Sequence, residues 1–128
     1  MPATVFSVLN NMATPVDPDF RARLAALNDK FAATVPGTLV KIRTALDACQ
    51  AGGGQPSQDA LHQLHEVLHG VAGSAGTFGF AVFGQEARRV EQMVRAVLAT
   101  NEGWAPVAPE VEKLLAWAAR DARAATFE

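Results

Sequence analysis

The chain has no tyrosine and a single cysteine, Cys49. One cysteine cannot close an internal disulfide, which suits a reducing compartment. Charge of either sign is scarce: 11 Lys and Arg stand against 13 Asp and Glu, a net charge of -2. That count forces no strongly basic face, so nucleic acid is not the expected partner. No apolar run approaches the ~20 residues that span a bilayer, so no membrane segment is expected. Residues 1–11 lack a basic start and a long apolar centre, and make a poor signal peptide. A cytoplasmic, free-standing protein beginning at Met1 is the expectation. Strand signals are also missing, because Ala and Leu dominate the periodic segments.

What is present suffices for one domain over residues 1–128. The composition is 49% hydrophobic and 19% charged, which excludes disorder. At this length roughly 70% of the unfolded surface can be hidden without a disulfide or metal staple. Apolar residues recur at helical spacing. Phe20, Leu24, Leu27, Phe31 and Val35 form one stripe, and Leu39, Ile42, Leu46 and Cys49 continue it past Pro36. The unbroken phase predicts one long, bent helix, with Asp17 as N-cap and Pro18 at the first helical position. Gly52, Gly53, Gly54 and Pro56 mark a loop, and Ser57 can cap the next helix. Its seam is Leu61, Leu64, Leu68, Val71 and Ala75. A third carries Phe83, Ala87, Val90, Val94 and Val97. A fourth carries Val111, Leu114, Leu115, Ala118 and Ala122. The predicted helices cover roughly 18–51, 57–76, 80–100 and 108–125. Short connections make this an all-α, antiparallel up-down four-helix bundle. The first ten residues allow a short extra helix or a loose segment. Trp104 and Trp117 are assigned to packing at the far end of the bundle, and Cys49 to the core. One well-packed bundle needs no second copy to fold, so a monomer is expected.

All three histidines, His62, His65 and His69, fall on the second helix. Spacings of three, four and seven put them on one side of it. A polar face that happens to be rich in histidine would look the same. The stretch that follows is less ordinary, because Gly70, Gly73 and Gly76 lie within the helical run. Each glycine costs a helix ~1 kcal/mol relative to Ala, so the three cost ~3 kcal/mol. Ala72, Gly73 and Gly76 are three, four and seven residues beyond His69, the places that would crowd its imidazole. They leave a reactive histidine on a flat surface that a partner can approach. Close packing between helices would also call for glycine, and the two uses are compatible.

The run from His69 through Gly70, Val71, Ala72, Gly73, Ser74, Ala75, Gly76, Thr77, Phe78, Gly79 and Phe80 resembles the signature of histidine-containing phosphotransfer (HPt) domains. It is most similar to the phosphotransfer domain of chemotaxis-type histidine kinases. The family pattern places a Glu on the next helix, twenty-two residues after the histidine, where this chain has Glu91. It also places a Lys three residues after the histidine, where this chain has Ala72. The resemblance implies that His69 accepts a phosphoryl group and that Glu91 orients it. Glu91 could instead form a surface ion pair with Arg88 or Arg95, which contributes little. Arg88, one turn before Glu91, is the candidate to replace the missing positive charge. Arg88 and Arg89 on a solvated face is the plainer alternative.

The chemistry suits the residues. Neutral imidazole, with an ordinary pKa of ~6.5, is a nucleophile near pH 7. A carboxylate bonded to Nδ1 fixes the tautomer and leaves Nε2 to attack. Neither a phosphate-binding Gly-x-x-x-x-Gly-Lys-Ser/Thr loop nor a kinase-type glycine loop is present. The chain therefore reads as a phosphotransfer intermediate rather than an enzyme. The implied partners are a histidine kinase and a response-regulator receiver domain. No cofactor or metal of its own is expected, since the Mg²⁺ would sit in the partner's site. His65, Ala72, Gly73, Gly76, Phe78 and Phe80 are the expected docking residues, with Phe83 assigned to the core. Two other functions remain open. One is a phosphorylation-deficient HPt-like module that binds and regulates a kinase or receiver, motivated by Ala72. The other is a metal-binding bundle using His62, His65 and His69.

Overall fold

The computed structural model describes residues 17–128. The extra N-terminal helix considered above lies outside them. Four helices follow in order: α1 (Pro18–Gln50), α2 (Gln58–Ser74), α3 (Ala81–Thr100) and α4 (Val107–Asp121). A 3-10 turn, Ala75–Phe78, joins α2 to α3.

The starts of α1 and α2 follow from side-chain caps. Asp17 Oδ1 accepts from the backbone N–H groups of Asp19 (2.9 Å) and Phe20 (3.2 Å). Ser57 Oγ accepts from that of Ala60 (3.1 Å). These bonds satisfy donors that the first helical turn leaves unpaired. Pro36 lies inside α1 without ending it. It is exposed, so its ring lies on the side of the helix away from the core, where a bend is tolerated.

The predicted seams of α2, α3 and α4 are all buried, from Leu61 to Ala75, Phe83 to Val97 and Val111 to Ala122. α1 differs along its length. Its 33 residues reach about 50 Å, roughly twice the length of α2. Burial on α1 therefore begins at Val35, whereas Phe20, Leu24 and Leu27 are exposed. Each helix touches the two that flank it in the ring α1–α2–α3–α4. The α1–α2 and α3–α4 loops meet at one end, where Asn101 Oδ1 accepts from Gln55 and Gln58. The direction of the chain therefore alternates up and down. Arg43 grips Glu112 through two 2.6 Å bonds between α1 and α4. Arg89 reaches Glu110 at 2.8 Å between α3 and α4. Cys49 is in the core, and burial pushes its thiol up to about 11.

Three expectations need correction. The fourth helix stops at Asp121, short of residue 125. Asp121 Oδ1 accepts from the Arg123 N–H, and the Trp117 indole N–H donates to the Thr126 carbonyl, so the chain turns back over the helix. Phe80, expected on the docking surface, is a core residue only 3% exposed. The left-handed Gly79 (φ 90°) reverses the chain, and Phe80 then lies against Phe31 and beneath Arg123. Finally, Trp117 is not at the loop end with Trp104; it packs against Phe83, near the start of α3.

Candidate functional site

The site is built where α2 and α3 lie side by side, the most extensive helix pair in the bundle. Their close approach depends on Gly84. A β-carbon there would stand 3.2 Å from the Gly76 backbone nitrogen and 3.4 Å from the Ala75 methyl group. Gly70, Gly73 and Gly76 differ: a β-carbon on any of them would meet nothing within 4 Å. Close packing is thus the task of Gly84, which the motif reading overlooked. The three glycines after His69 lie on an open surface. A glycine on the α3 seam, one residue after Phe83, was the available signal.

His69 projects from that surface, with its side chain 64% exposed. Glu91, on the facing turn of α3, is 2% exposed. Its Oε1 stands 2.9 Å from His69 Nδ1. With Glu91 ionised, the hydrogen in that bond belongs to Nδ1, which therefore donates. Nε2 is then the unprotonated nitrogen of the neutral ring. The same oxygen lies 3.1 Å from an Arg95 guanidinium nitrogen and 3.2 Å from His65 Nε2. Arg95 is therefore a partner of Glu91, but the carboxylate is buried, so this is no ordinary surface pair. Burial pushes the Glu91 carboxyl up. The His69 hydrogen bond and the charges of His69, His65 and Arg95 outweigh that, so it lies below the ordinary 4.5.

Arg88 extends from α3 across to α2 and donates to the Ala72 carbonyl at 3.2 Å. Its guanidinium thus lies beside the position at which the HPt pattern has Lys. Ala72 is half-buried, whereas Gly73 and Gly76 are exposed. Phe78 is half-buried and stacks on Phe31 with ring centroids 5.4 Å apart. His65 is half-buried behind His69, and His62 is exposed. Among the described residues, no group of three or more His, Cys, Asp or Glu side chains stands where it could hold a metal ion. No helix among them is long and apolar enough to cross a membrane.

The arrangement offers one exposed histidine side chain, a buried carboxylate that sets its tautomer, a nearby guanidinium and open ground around them. A family model for the Hpt domain matches residues 26–122. Searches of curated proteins and of solved structures find no match.

Proposed function

The chain belongs to the Hpt domain family, and on that premise we propose that it relays a phosphoryl group through His69. The donor is a histidine kinase or a receiver-domain aspartyl phosphate, and the acceptor is the aspartate of another receiver. The observation that carries this reading is the 2.9 Å bond from His69 Nδ1 to buried Glu91, on a side chain that is 64% exposed. A bond on Nδ1 leaves the Nε2 lone pair facing the partner.

The Nε2 lone pair forms a bond to phosphorus, and the P–O bond to the donor aspartate breaks. The aspartate oxygen leaves with the electron pair and becomes a carboxylate again. Positive charge appears on the ring, where Glu91 stabilises it through Nδ1–H. A ring held in that form is a good leaving group when the next aspartate attacks. Phosphoryl transfer depends mainly on position and charge stabilisation. Arg88 supplies charge from α3 in place of the family's Lys, with Ala72 below it.

Gly70, Gly73 and Gly76 leave room for a receiver to approach His69, and Phe78 adds apolar area at the edge. In this reading the chain is a cytoplasmic monomer without a cofactor, and Mg²⁺ belongs to the kinase or receiver. Ala72 favours a second reading, in which the domain binds its partner without accepting phosphate.

A labelling assay decides between the two. The parent and His69→Gln are each mixed with a kinase, a receiver, radiolabelled ATP and Mg²⁺. Acid-labile label on the parent alone is the expected result. An unlabelled parent that still binds an active receiver would overturn the relay in favour of the binding module.

A further inference from the structure

Glu91 has more claimants than one orienting bond requires. His69 Nδ1 and the Arg95 guanidinium both meet Oε1 with hydrogen-bond geometry. A carboxylate oxygen offers about two lone-pair directions, so those two donors fill it. His65 Nε2 lies 3.2 Å from the same oxygen, yet it is buried and finds no aligned hydrogen-bond partner. The His65 and His69 rings stack, with centroids 5.9 Å apart and planes 16° apart. If His65 Nε2 were unprotonated, its lone pair would face a carboxylate oxygen. Its hydrogen therefore belongs on Nε2, the opposite tautomer to His69.

This third contact addresses a difficulty in the site. The bond that fixes the His69 tautomer lasts only while Oε1 stays in place, and that oxygen is held by the donors around it. Arg95 is 62% exposed, so water screens its share, whereas His65 is only 20% exposed and acts with less screening. Resting on the reading of His69 as phosphoryl acceptor, we propose that His65 is a positioning residue. It shares the Glu91 carboxylate and backs the His69 ring, so that the ring hydrogen of His69 stays on Nδ1 and Nε2 stays open.

The test uses the whole chain and needs neither kinase nor receiver. Ring ¹⁵N spectra at pH 7 report the protonation of each histidine nitrogen. Carbethoxylation by diethyl pyrocarbonate, mapped by mass spectrometry, reports His69 as a nucleophile. In the parent, His65 should carry its hydrogen on Nε2 and His69 on Nδ1; either opposite tautomer overturns the proposal without any variant. His65→Phe keeps a stacking ring but no donor. It should let the His69 hydrogen divide between Nδ1 and Nε2 and slow carbethoxylation about threefold. His65→Gln restores an N–H donor and should bring both readouts back towards the parent. A Phe variant that matches the parent, or a Gln variant as impaired as Phe, overturns the donor role. Since no phosphoryl transfer is read, a failed labelling assay refutes the relay and leaves this result to stand or fall on its own.

Discussion

Replacing Glu91 by Gln should slow phosphoryl transfer while leaving the bundle folded. The substitution keeps the shape of the side chain and removes its charge. Hydrogen bonds to a charged group contribute about 1.5–3 kcal/mol, against about 0.5–1.5 for neutral pairs. The bond to His69 therefore weakens by about 1 kcal/mol, or somewhat less because the imidazole is 64% exposed and partly screened. That loss corresponds to roughly five-fold in rate. The effect on stability should be smaller than for a typical broken buried pair, for a geometric reason. Loss of one buried partner usually strands the other without water. Here His69 and Arg95 are 64% and 62% exposed and can rehydrate, the buried His65 Nε2 still meets the one oxygen that Gln retains, and the cost of burying the carboxylate charge disappears. The melting temperature should then move by no more than a few degrees, the shift expected for about 1 kcal/mol in a domain of this size. The assay is rapid-quench transfer of label from the phosphorylated protein to a receiver, beside thermal melts. A rate within twofold of the parent would refute the orienting role. A protein that melts far below the parent would refute the claim that site and fold are separable here.

Arg88→Ala should slow transfer by about three- to tenfold, since it removes one positive charge near the phosphoryl oxygens. Adding Ala72→Lys should recover much of that loss, and rapid-quench rates that ignore both changes would refute the substitution of Arg88 for Lys. Gly73→Ala and Gly84→Ala should shift thermal melts in opposite directions. The first fills open space on a helix and should stabilise by about 0.5–1 kcal/mol. The second sets a methyl group 3.2 Å from the Gly76 nitrogen and should destabilise by about 1–3 kcal/mol; shifts of the same sign would refute the assignment of roles. Acid should also act in a defined window. The Glu91 carboxyl lies below its ordinary 4.5, because the contacts to His69, His65 and Arg95 outweigh its burial. Hydrogen bonds from Arg89 and Arg43 lower those of Glu110 and Glu112. A lowered folded value means that their stabilisation is fully present above about 4.5 and is lost as pH falls through the folded values. Urea midpoints should hold down to about pH 5 and fall towards pH 3; a flat profile across that range would contradict the sign.

The parts of this molecule that were legible in its sequence are those set by local physics. The seams of three helices follow from a 3.6-residue period, and the starts of α1 and α2 from Asp17 and Ser57, whose side chains bond only a few residues ahead. The continuous stripe across Pro36 was enough to predict one helix rather than two. The errors have in common a dependence on another part of the chain. Phe80 turns inward because Gly79 adopts φ 90° and the Phe31 ring awaits it on α1. The α4 terminus is shortened by the side chain of Asp121 and by a segment that folds back to Trp117. Spacing showed that His65 and His69 share a side of α2, and that Arg95 could pair with Glu91. It could not show that all three converge on one oxygen, because that depends on how closely α3 approaches α2. Gly84 sets that approach through a contact with Gly76 on the other side of the turn. The same glycine-rich stretch therefore does two separable things. Gly76 lends its backbone to the contact that brings Glu91 within reach of His69. Gly70 and Gly73, with nothing within 4 Å of where a β-carbon would stand, leave open surface along the helix that carries that histidine.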